Sequence, residues 1–146
     1  MQDYDDSYAS CIETYATLRI YSKDILLADI SNSLGVEPTK SHAKRELKFT
    51  TKEGVVKHYE MNNWFYSSKD LVNSRDCRRH IDFVIDNAMM DINSVEELKK
   101  QNCEMDISVF YVYSQGGPTL STKQMTKLAE RGIDIWWDLF RTEENE

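Results

Sequence analysis

Alternation of apolar and polar residues predicts β-strands in several parts of the chain. In residues 15–22, the apolar face consists of Ala16, Leu18 and Ile20. Residues 105–113 are largely apolar on both faces, which is typical of a strand that is central or covered on both sides. Another strand is expected to end near residues 62–66. A last strand is predicted over residues 133–140, with a core face formed by Ile133, Ile135, Trp137 and Leu139.

Apolar residues at spacings of three and four predict amphipathic helices. The longest is expected over about residues 73–89, and shorter ones over 26–34 and 94–100. A further helix begins at Ser121 and is ended by Gly132. Left-handed glycines are expected to end two helices, and pairs of Ser with Glu or Gln predict capping boxes at two helix starts. These residues are Gly35 and Gly132, Ser94 with Glu97, and Ser121 with Gln124.

The first and last thirds of the chain share one plan, in residues 21–35 and 113–132. In each, a strand ends in Tyr-Ser, a helix follows, and a glycine ends that helix. With the long helix between these pseudo-repeated halves, the pattern predicts an α+β fold. We expect a two-layer sandwich related to ferredoxin-like folds, with helices on one face of a mostly antiparallel sheet of roughly four to six strands.

The length of 146 residues fits a single domain over residues 1–146. No apolar run reaches the roughly 18 residues of a membrane-spanning helix, and the acidic N-terminus lacks the features of a signal peptide. The three cysteines include no Cys-x-x-Cys pair, which favours reduced thiols over a disulfide framework. A cytoplasmic protein without membrane association is therefore expected.

The net charge of −7 lies at the two ends of the chain. Residues 1–13 and 142–146 hold seven acidic residues and no Lys or Arg, and both ends are expected to fray. The remaining acidic and basic residues balance at eighteen each. Within this neutral body, the segment Lys40–His58 is locally basic. Its part up to Thr51 is expected to form an exposed hairpin arm or long loop, and Gly54 is expected to turn the chain into the next strand. A neutral body argues against nucleic acid as a partner, because such binding neutralises many phosphates.

Candidate catalytic and metal-binding residues are few. Cys77 and His80 lie three residues apart on the predicted long helix, but Cys77 falls on its apolar stripe and no second pair stands at ligand spacing. A structural role is therefore expected for both. Asp82, Asp86 and Asp91 are expected on a solvated, ion-paired face. Neither an enzyme nor a cofactor or metal site is predicted, since no nucleophile motif or nucleotide loop is present.

Aromatic residues recur on the strand faces opposite the predicted core. If these strands are neighbours, they form an aromatic patch of a size that soluble monomers seldom leave bare. In one interpretation, the N-terminal segment or the basic segment folds over this patch. In the other, the patch binds a protein partner or forms a homodimer, because Trp and Tyr are favoured interface anchors. Base stacking is not expected without basic surroundings. The candidate partner-binding residues are Tyr15, Tyr21, Phe110, Trp136 and Phe140.

A Gly-Gly-Pro turn precedes the helix that begins at Ser121, and a helix N-terminus is where an anion could bind. The candidate anion-loop residues are Gly116, Gly117, Ser121 and Lys123. The capping box of Ser121 and Gln124, with Leu120 and Met125 as a hydrophobic staple, explains the same stretch as a helix entry. It would occupy some of the donors that an anion needs. Lys123 opposes the helix dipole, a cost that a bound anion would relieve.

Several strand and turn signatures occur together: residues 16–22 (Ala-Thr-Leu-Arg-Ile-Tyr-Ser), residues 34–40 (Leu-Gly-Val-Glu-Pro-Thr-Lys), Trp64 within a strand, and the glycine-containing stretch 113–133. They resemble the bacterial domain of unknown function 4279 family, and the likeness covers most of the chain. The resemblance implies a fold and a bacterial or phage-related setting, without an established activity or cofactor. Small proteins of this kind often lie beside toxin genes, an analogy that suggests an immunity role.

Two functions are therefore expected from different classes. The first is a non-enzymatic protein-binding protein, most concretely an immunity-type inhibitor that neutralises a partner toxin or effector. In this hypothesis the aromatic face holds the complex and the acidic ends speed the encounter. The alternative is a small-ligand (anion) binding or regulatory domain that uses the loop at residues 114–121.

Overall fold

The computed structural model describes residues 3–143, which form seven strands and four helices. The strands are β1 (Cys11–Ser22), β2 (Lys40–His42), β3 (Leu47–Thr50), β4 (Val56–His58), β5 (Asn62–Ser67), β6 (Glu104–Tyr113) and β7 (Asp134–Arg141). The helices are α1 (Leu27–Leu34), α2 (Cys77–Ala88), α3 (Ile92–Lys100) and α4 (Thr122–Arg131). Among the described residues, no helix combines the length and apolarity needed to cross a membrane.

Five strands form the main sheet in the order β2-β5-β1-β6-β7, so β1 is central. β1 pairs antiparallel with β5 and β6, and β2 pairs antiparallel with β5. β6 and β7 are parallel, and α4 supplies the crossover that a parallel pair requires. β3 and β4 form a separate antiparallel hairpin. The edges of the main sheet are the short β2 and the eight-residue β7.

The four helices form one layer against one face of the sheet. α1 contacts α3, α3 contacts α4, α4 contacts α2, and α2 packs on β1. Alternation along β1 directs Ala16, Leu18 and Ile20 into this interface, where all three are completely buried. Trp64 of β5 is also completely buried, and its Nε1 donates a hydrogen bond to Ser31 Oγ of α1 at 3.0 Å. The bond satisfies the one polar group of the indole, which allows the ring to lie in the core.

This architecture confirms the predicted two-layer α+β fold, with five strands and the helices on one face. The predicted plan of the two halves is present locally, because Gly35 and Gly132 both end a helix with left-handed φ values of 71° and 60°. The halves differ in strand pairing. After Gly132 the chain enters β7 parallel to β6, whereas after Gly35 it reaches β2 at the opposite edge of the sheet.

The start of α3 differs from the prediction. The helix begins at Ile92, so the capping box predicted for Ser94 and Glu97 is wrong. Asp91 is the N-cap, since its carboxylate accepts hydrogen bonds from the Asn93 N–H at 2.9 Å and from the Ser94 hydroxyl at 3.1 Å. Asp91 thus caps α3 about one turn before Ser94, and it also binds the Ser94 hydroxyl that was expected to be the cap.

The N-terminal residues lie along α2 in place of the expected fraying. Tyr4 donates its hydroxyl hydrogen to Asp82 in the middle of α2. The Asp6 carboxylate accepts a hydrogen bond from Arg79 Nε at 2.7 Å, and the Arg79 guanidinium lies 4.3 Å from the centroid of the Tyr4 ring. These contacts hold the segment on the helix side of the sandwich. The fraying expected at residues 1–2 and 144–146 lies outside the described residues.

The predicted core face of β7 is only partly covered. Ile133, just before the strand, is buried, and Ile135 and Trp137 pack partly against the core. Leu139, expected on the same core face, is 49 % exposed, so this expectation is wrong. An edge strand has a neighbouring strand on one side only, which leaves the end of β7 less covered than the central β1.

Candidate functional site

The five predicted aromatic residues lie together on the sheet face opposite the helices. Side chains alternate along a strand, so the neighbours of the buried positions point to the other face. Two of the five lie on β1, one on β6 and two on β7. We call this surface the open face. It comprises Tyr15, Tyr21, Phe110, Trp136 and Phe140, together with Phe65 of β5 and the Arg19 and Asp106 pair.

Three rings form a continuous aromatic cluster across β1, β6 and β7. Tyr15 and Phe110 are stacked, with centroids 4.8 Å apart and an angle of 22° between their planes. Phe140 also packs on Phe110 in a tilted arrangement, with ring centroids 5.2 Å apart. The Lys69 ammonium group lies 5.3 Å from the centroid of the Tyr15 ring, a cation–π contact. The sheet thus joins residues from the first and last strands into one apolar surface.

An ion pair lies beside this cluster on the open face. Arg19 donates from Nε and Nη2 to the two carboxylate oxygens of Asp106, at 2.8 and 2.6 Å. These hydrogen bonds raise the pKa of Arg19, because the carboxylate stabilises its charged form. The Arg19 guanidinium also lies 5.9 Å from the centroid of the Trp136 ring. Tyr21 packs edge-on against Phe65 at 5.8 Å, and partial burial raises its pKa.

No helix of residues 3–143 packs on the open face. At its β7 edge, Trp136 is 58 % exposed and Phe140 is 48 % exposed. The N-terminal segment, one expected cover, lies on the helix side, where the Asp5 N–H donates to the Asp76 carboxylate at 2.8 Å. The basic segment, the other expected cover, forms β2 at the edge of the main sheet and the β3–β4 hairpin, which approaches the open face at Tyr21 and Asn63. Within the described chain, the open face is therefore exposed to solvent at its β7 edge, whereas Tyr15, Tyr21 and Phe110 are half-buried.

The β3–β4 hairpin forms a groove with one corner of the open face, of about 400 Å3, which we call the hairpin groove. Its sheet side includes Tyr21 and Asn63. Its hairpin side is basic and aromatic, and includes Lys48, Phe49, Lys57, His58 and Tyr59. The sequence did not predict this groove. The composition of the basic stretch up to Thr51 indicated an exposed arm, but the angle between the arm and the sheet depends on tertiary packing.

The loop before α4 is joined to the N-terminal segment. The Gly117 carbonyl oxygen accepts hydrogen bonds from the Tyr8 hydroxyl at 2.9 Å and from the Ser10 hydroxyl at 3.3 Å. Gly116 has a φ of 74°, and a Cβ atom there would lie 3.1 Å from Ser10 Cβ. Glycine therefore permits both the left-handed backbone and the close approach. These two predicted loop residues support the packing of the N-terminal segment.

The start of α4 carries the predicted capping box. The Ser121 N–H donates to Gln124 Oε1 at 3.2 Å, and the Ser121 side chain caps the α4 backbone in return. Ser121 Oγ also accepts a hydrogen bond from Arg78 Nη1 at 2.7 Å. Lys123 is exposed in the first turn. These bonds use groups that an anion would need, so the geometry adds no support to the anion hypothesis, which stays a prediction.

One family model covers the region from β1 to β7. The model of a domain of unknown function, DUF4279, matches residues 12–140, which is most of the chain. This chain belongs to the DUF4279 family. The match confirms the resemblance seen in the sequence, and it includes all residues of the open face. No curated protein and no solved structure matches the chain.

In this DUF4279 domain, Cys77 and His80 are both buried with structural partners. The Cys77 thiol donates to the Thr119 carbonyl oxygen at 3.4 Å, and burial raises its pKa to about 12, which disfavours the thiolate. His80 Nε2 lies 2.8 Å from the Ser74 carbonyl oxygen, and Nδ1 lies 2.6 Å from Ser68 Oγ. Because a carbonyl only accepts, Nε2 carries the proton and Nδ1 accepts from the Ser68 hydroxyl.

Asp82 departs from the prediction of a solvated face, because its side chain is buried. Its carboxylate accepts hydrogen bonds from the Tyr4 hydroxyl, from Gln124 Nε2 at 2.9 Å and from Lys127 Nζ at 3.1 Å. Asp86, one turn on, is exposed and shares Lys127 at 3.1 Å. The prediction is therefore wrong for Asp82. The N-terminal segment and α4 cover that side of α2, a contact between distant parts of the chain.

Proposed function

We propose that this DUF4279 domain is a non-enzymatic protein-binding protein and that the open face is its binding surface. The observation that supports the proposal is the exposed aromatic edge, where Trp136 is 58 % and Phe140 48 % exposed beside the half-buried Tyr15 and Phe110. Soluble monomers seldom leave such a contiguous apolar patch bare. A partner that covered it would remove apolar area from water, a gain of about 25 cal/mol per Å2.

The side chains of the open face are those that anchor protein interfaces. Interface cores are enriched in Tyr, Trp, Phe and Arg, which supply large contact areas. The charge of Arg19 is already neutralised by Asp106, so a partner could cover it without supplying a counter-charge. The stacking of Tyr15 on Phe110 holds both rings in place before binding, which lowers the entropy lost on association.

In its most concrete form, the proposal is an immunity-type inhibitor that occludes a partner toxin or effector. Its support is analogy with small proteins of this kind that lie beside toxin genes. We set this role in the cytoplasm, where the free and buried Cys11, Cys77 and Cys103 would remain reduced. Asp6 pairs with Arg79 on the helix side, so the acidic ends would speed the encounter with a basic partner only through the net charge of the chain, while the aromatic rings would slow dissociation.

Affinity capture with matched variants tests the proposal. The baits are the tagged chain, the double variant Trp136→Ala/Phe140→Ala, and the control Met125→Ala, each used in a lysate of the organism that encodes the chain. Met125 lies on α4 and is 48 % exposed, so the control removes apolar surface from the helix side. We expect the chain and the control to retain the same protein and the double variant to lose it.

Two results would count against the open face as a binding surface. One is equal retention by all three baits, with circular dichroism showing that the double variant is folded. The other is the failure of the unaltered chain to retain any protein.

A further inference from the structure

The open face is charged unevenly from one side to the other. The hairpin groove is lined by the exposed Lys48, Lys57 and Glu60, and residues 40–60 hold six Lys or Arg against three Glu. We call Lys48 and Lys57 the groove lysines. On the opposite side, Glu104 begins β6 and Asp134 begins β7, and both are exposed. We call these two the acidic corner. The face therefore has a basic side and an acidic side.

Strand register places these two charged sites at the same end of the sheet. Tyr21 of β1 pairs with Asn63, which lines the hairpin groove, and on its other side with Glu104. Asp106, the next residue of β6 on this face, pairs with Asp134 of β7. The groove lysines and the acidic corner are thus level along the strands and lie on opposite sides of the central strand.

A two-fold axis that follows β1 would bring these opposite charges together. Rotation by 180° about an axis parallel to β1 exchanges the basic and acidic sides of the open face. It leaves the level of each residue along the strands unchanged. The hairpin of one copy would then lie over the starts of β6 and β7 of the other, and symmetry would repeat the contact. An axis across the strands would keep the two sides and reverse the strand ends, so the hairpin would meet the far end of β1 and β5, beside Lys69, and not the acidic corner. The charge pattern favours the first arrangement.

We propose that the open face is self-complementary and that two copies of this chain pair through it, with β1 of each copy at the two-fold axis. The groove lysines of one copy contact the acidic corner of the other, and the aromatic rings pack between them. Arg19 lies near the axis, opposite Arg19 of the second copy. Within each copy its Nη2 lies 2.6 Å from the Asp106 carboxylate, so two neutral ion pairs face each other. Burial of this pair leaves no uncompensated charge in the interface.

The dimensions of the open face fit a dimer interface. The five strands average roughly eight residues, although β2 has only three; at about 3.3 Å per residue and about 4.8 Å between strands they cover on the order of 600 Å2 before the relief of the side chains is counted. The hairpin adds apolar side chains that are each roughly half exposed, namely Leu47, Phe49, Val55 and Val56. A standard interface buries about 800 Å2 per partner, which the sheet and hairpin together approach.

This pairing rests on the proposed function, because the second copy occupies the surface assigned to the foreign partner. In the free chain, pairing would cover the aromatic rings. A foreign partner would bind by displacing the second copy, so its apparent affinity would fall as the concentration of the chain rises. The pairing is therefore a form of regulation of the same surface.

Sedimentation equilibrium of charge-reversed variants tests the pairing. The basic-side variant is Lys48→Glu/Lys57→Glu, the acidic-side variant is Glu104→Lys/Asp134→Lys, and the control Lys100→Glu/Lys123→Glu reverses two charges on the helices. All six side chains are exposed, and circular dichroism verifies the fold of each variant. We expect the unaltered chain and the control to dimerise. Each reversed variant alone should have a dissociation constant raised about tenfold or more, because like charges meet.

An equimolar mixture of the two reversed variants is the decisive sample. Each hairpin then meets a corner of opposite charge at both symmetry-related contacts, so the mixture should dimerise about as well as the unaltered chain. A mixture that stays monomeric would overturn the pairing. So would reversed variants that dimerise normally, or an unaltered chain that is monomeric at roughly 0.3 mM. A monomer whose capture of a foreign protein still depends on Trp136 and Phe140 would overturn the pairing alone and leave the proposed function standing.

Discussion

Tyr15 of β1 stacks on Phe110 of β6, with ring centroids 4.8 Å apart, on the sheet face that no helix of the described residues covers. The next residue pair on the same strands, Ala16 and Val109, is completely buried against the helices. Alternation along these strands therefore gives the sheet two apolar faces, and the helix layer covers one of them. The other is the surface on which a protein partner would gain most by burial.

The two tryptophans on opposite faces should differ in their effect on stability. Trp136→Ala should change the free energy of unfolding by less than about 1 kcal/mol, because this indole is mostly exposed. Trp64→Ala should lower it by roughly 3–5 kcal/mol, because it empties a core site and removes the donor to Ser31. Urea denaturation of dilute protein measures both values. A loss for Trp136→Ala as large as that for Trp64→Ala would show that Trp136 belongs to the core.

The two acceptors of Lys127 provide a second contrast. Asp82→Ala should lower the free energy of unfolding by roughly 3 kcal/mol, because Lys127 and the Gln124 amide lose a buried acceptor. Asp86→Ala should cost roughly 0.5 kcal/mol, since that carboxylate is exposed to solvent. Thermal denaturation of both variants compares the losses. Equal losses would contradict the buried role that the structure assigns to Asp82.

The stability of the domain should fall with mild acid because of His80. Burial lowers the pKa of His80 below its ordinary value of 6.5, so the unfolded chain takes up this proton more readily than the folded one. The contribution of neutral His80 is therefore complete above about pH 6.5 and decreases as the pH falls toward the lower pKa of the folded state.

Chemical denaturation between about pH 7 and pH 5 measures this dependence. His80→Gln, which keeps a donor toward the Ser74 carbonyl and an acceptor toward Ser68, should flatten the slope. The absolute stability of the variant is not the readout, so a small packing loss does not disturb the comparison. A slope that stays unchanged in His80→Gln would assign the acid sensitivity to other groups.

Phosphate should not stabilise the domain through the α4 loop. Ser121 already pairs with Gln124 and Arg78, so few free donors remain for an anion. Thermal shift at about 10 mM phosphate, compared with sodium chloride at equal ionic strength, should show no increase in Tm. An increase that Lys123→Ala abolishes would instead support the anion-binding alternative.

Short-range patterns made much of the fold and of the open face predictable. Alternation at Tyr15 and Ala16 placed one side chain outside and the other in the core, as the structure confirms. The helix ends at Gly35 and Gly132 were also predictable, because a left-handed turn after a helix favours glycine. Each of these features depends on a few residues adjacent in the chain.

Features that depend on contacts between distant segments were not predictable. Asp82 lies on the polar side of α2, and only the approach of Tyr4 and of α4 buries it. The start of α3 was missed for a local reason, because the predicted capping box began at Ser94 whereas the Asp91 carboxylate caps the helix and accepts from the Ser94 hydroxyl. The hairpin groove needs the orientation of the hairpin toward Tyr21, which no local pattern encodes.

The central claim, that the open face binds protein, is tested most directly by a photocrosslinking residue on each side of the sandwich. p-Benzoylphenylalanine replaces Trp136 on the open face or, as the control, Met125 on α4, in cells that express the chain at its natural level. Irradiation should join position 136 to a protein, either a foreign partner or a second copy, while position 125 should give no such product. Products at position 125 alone, or none at position 136, would contradict the account.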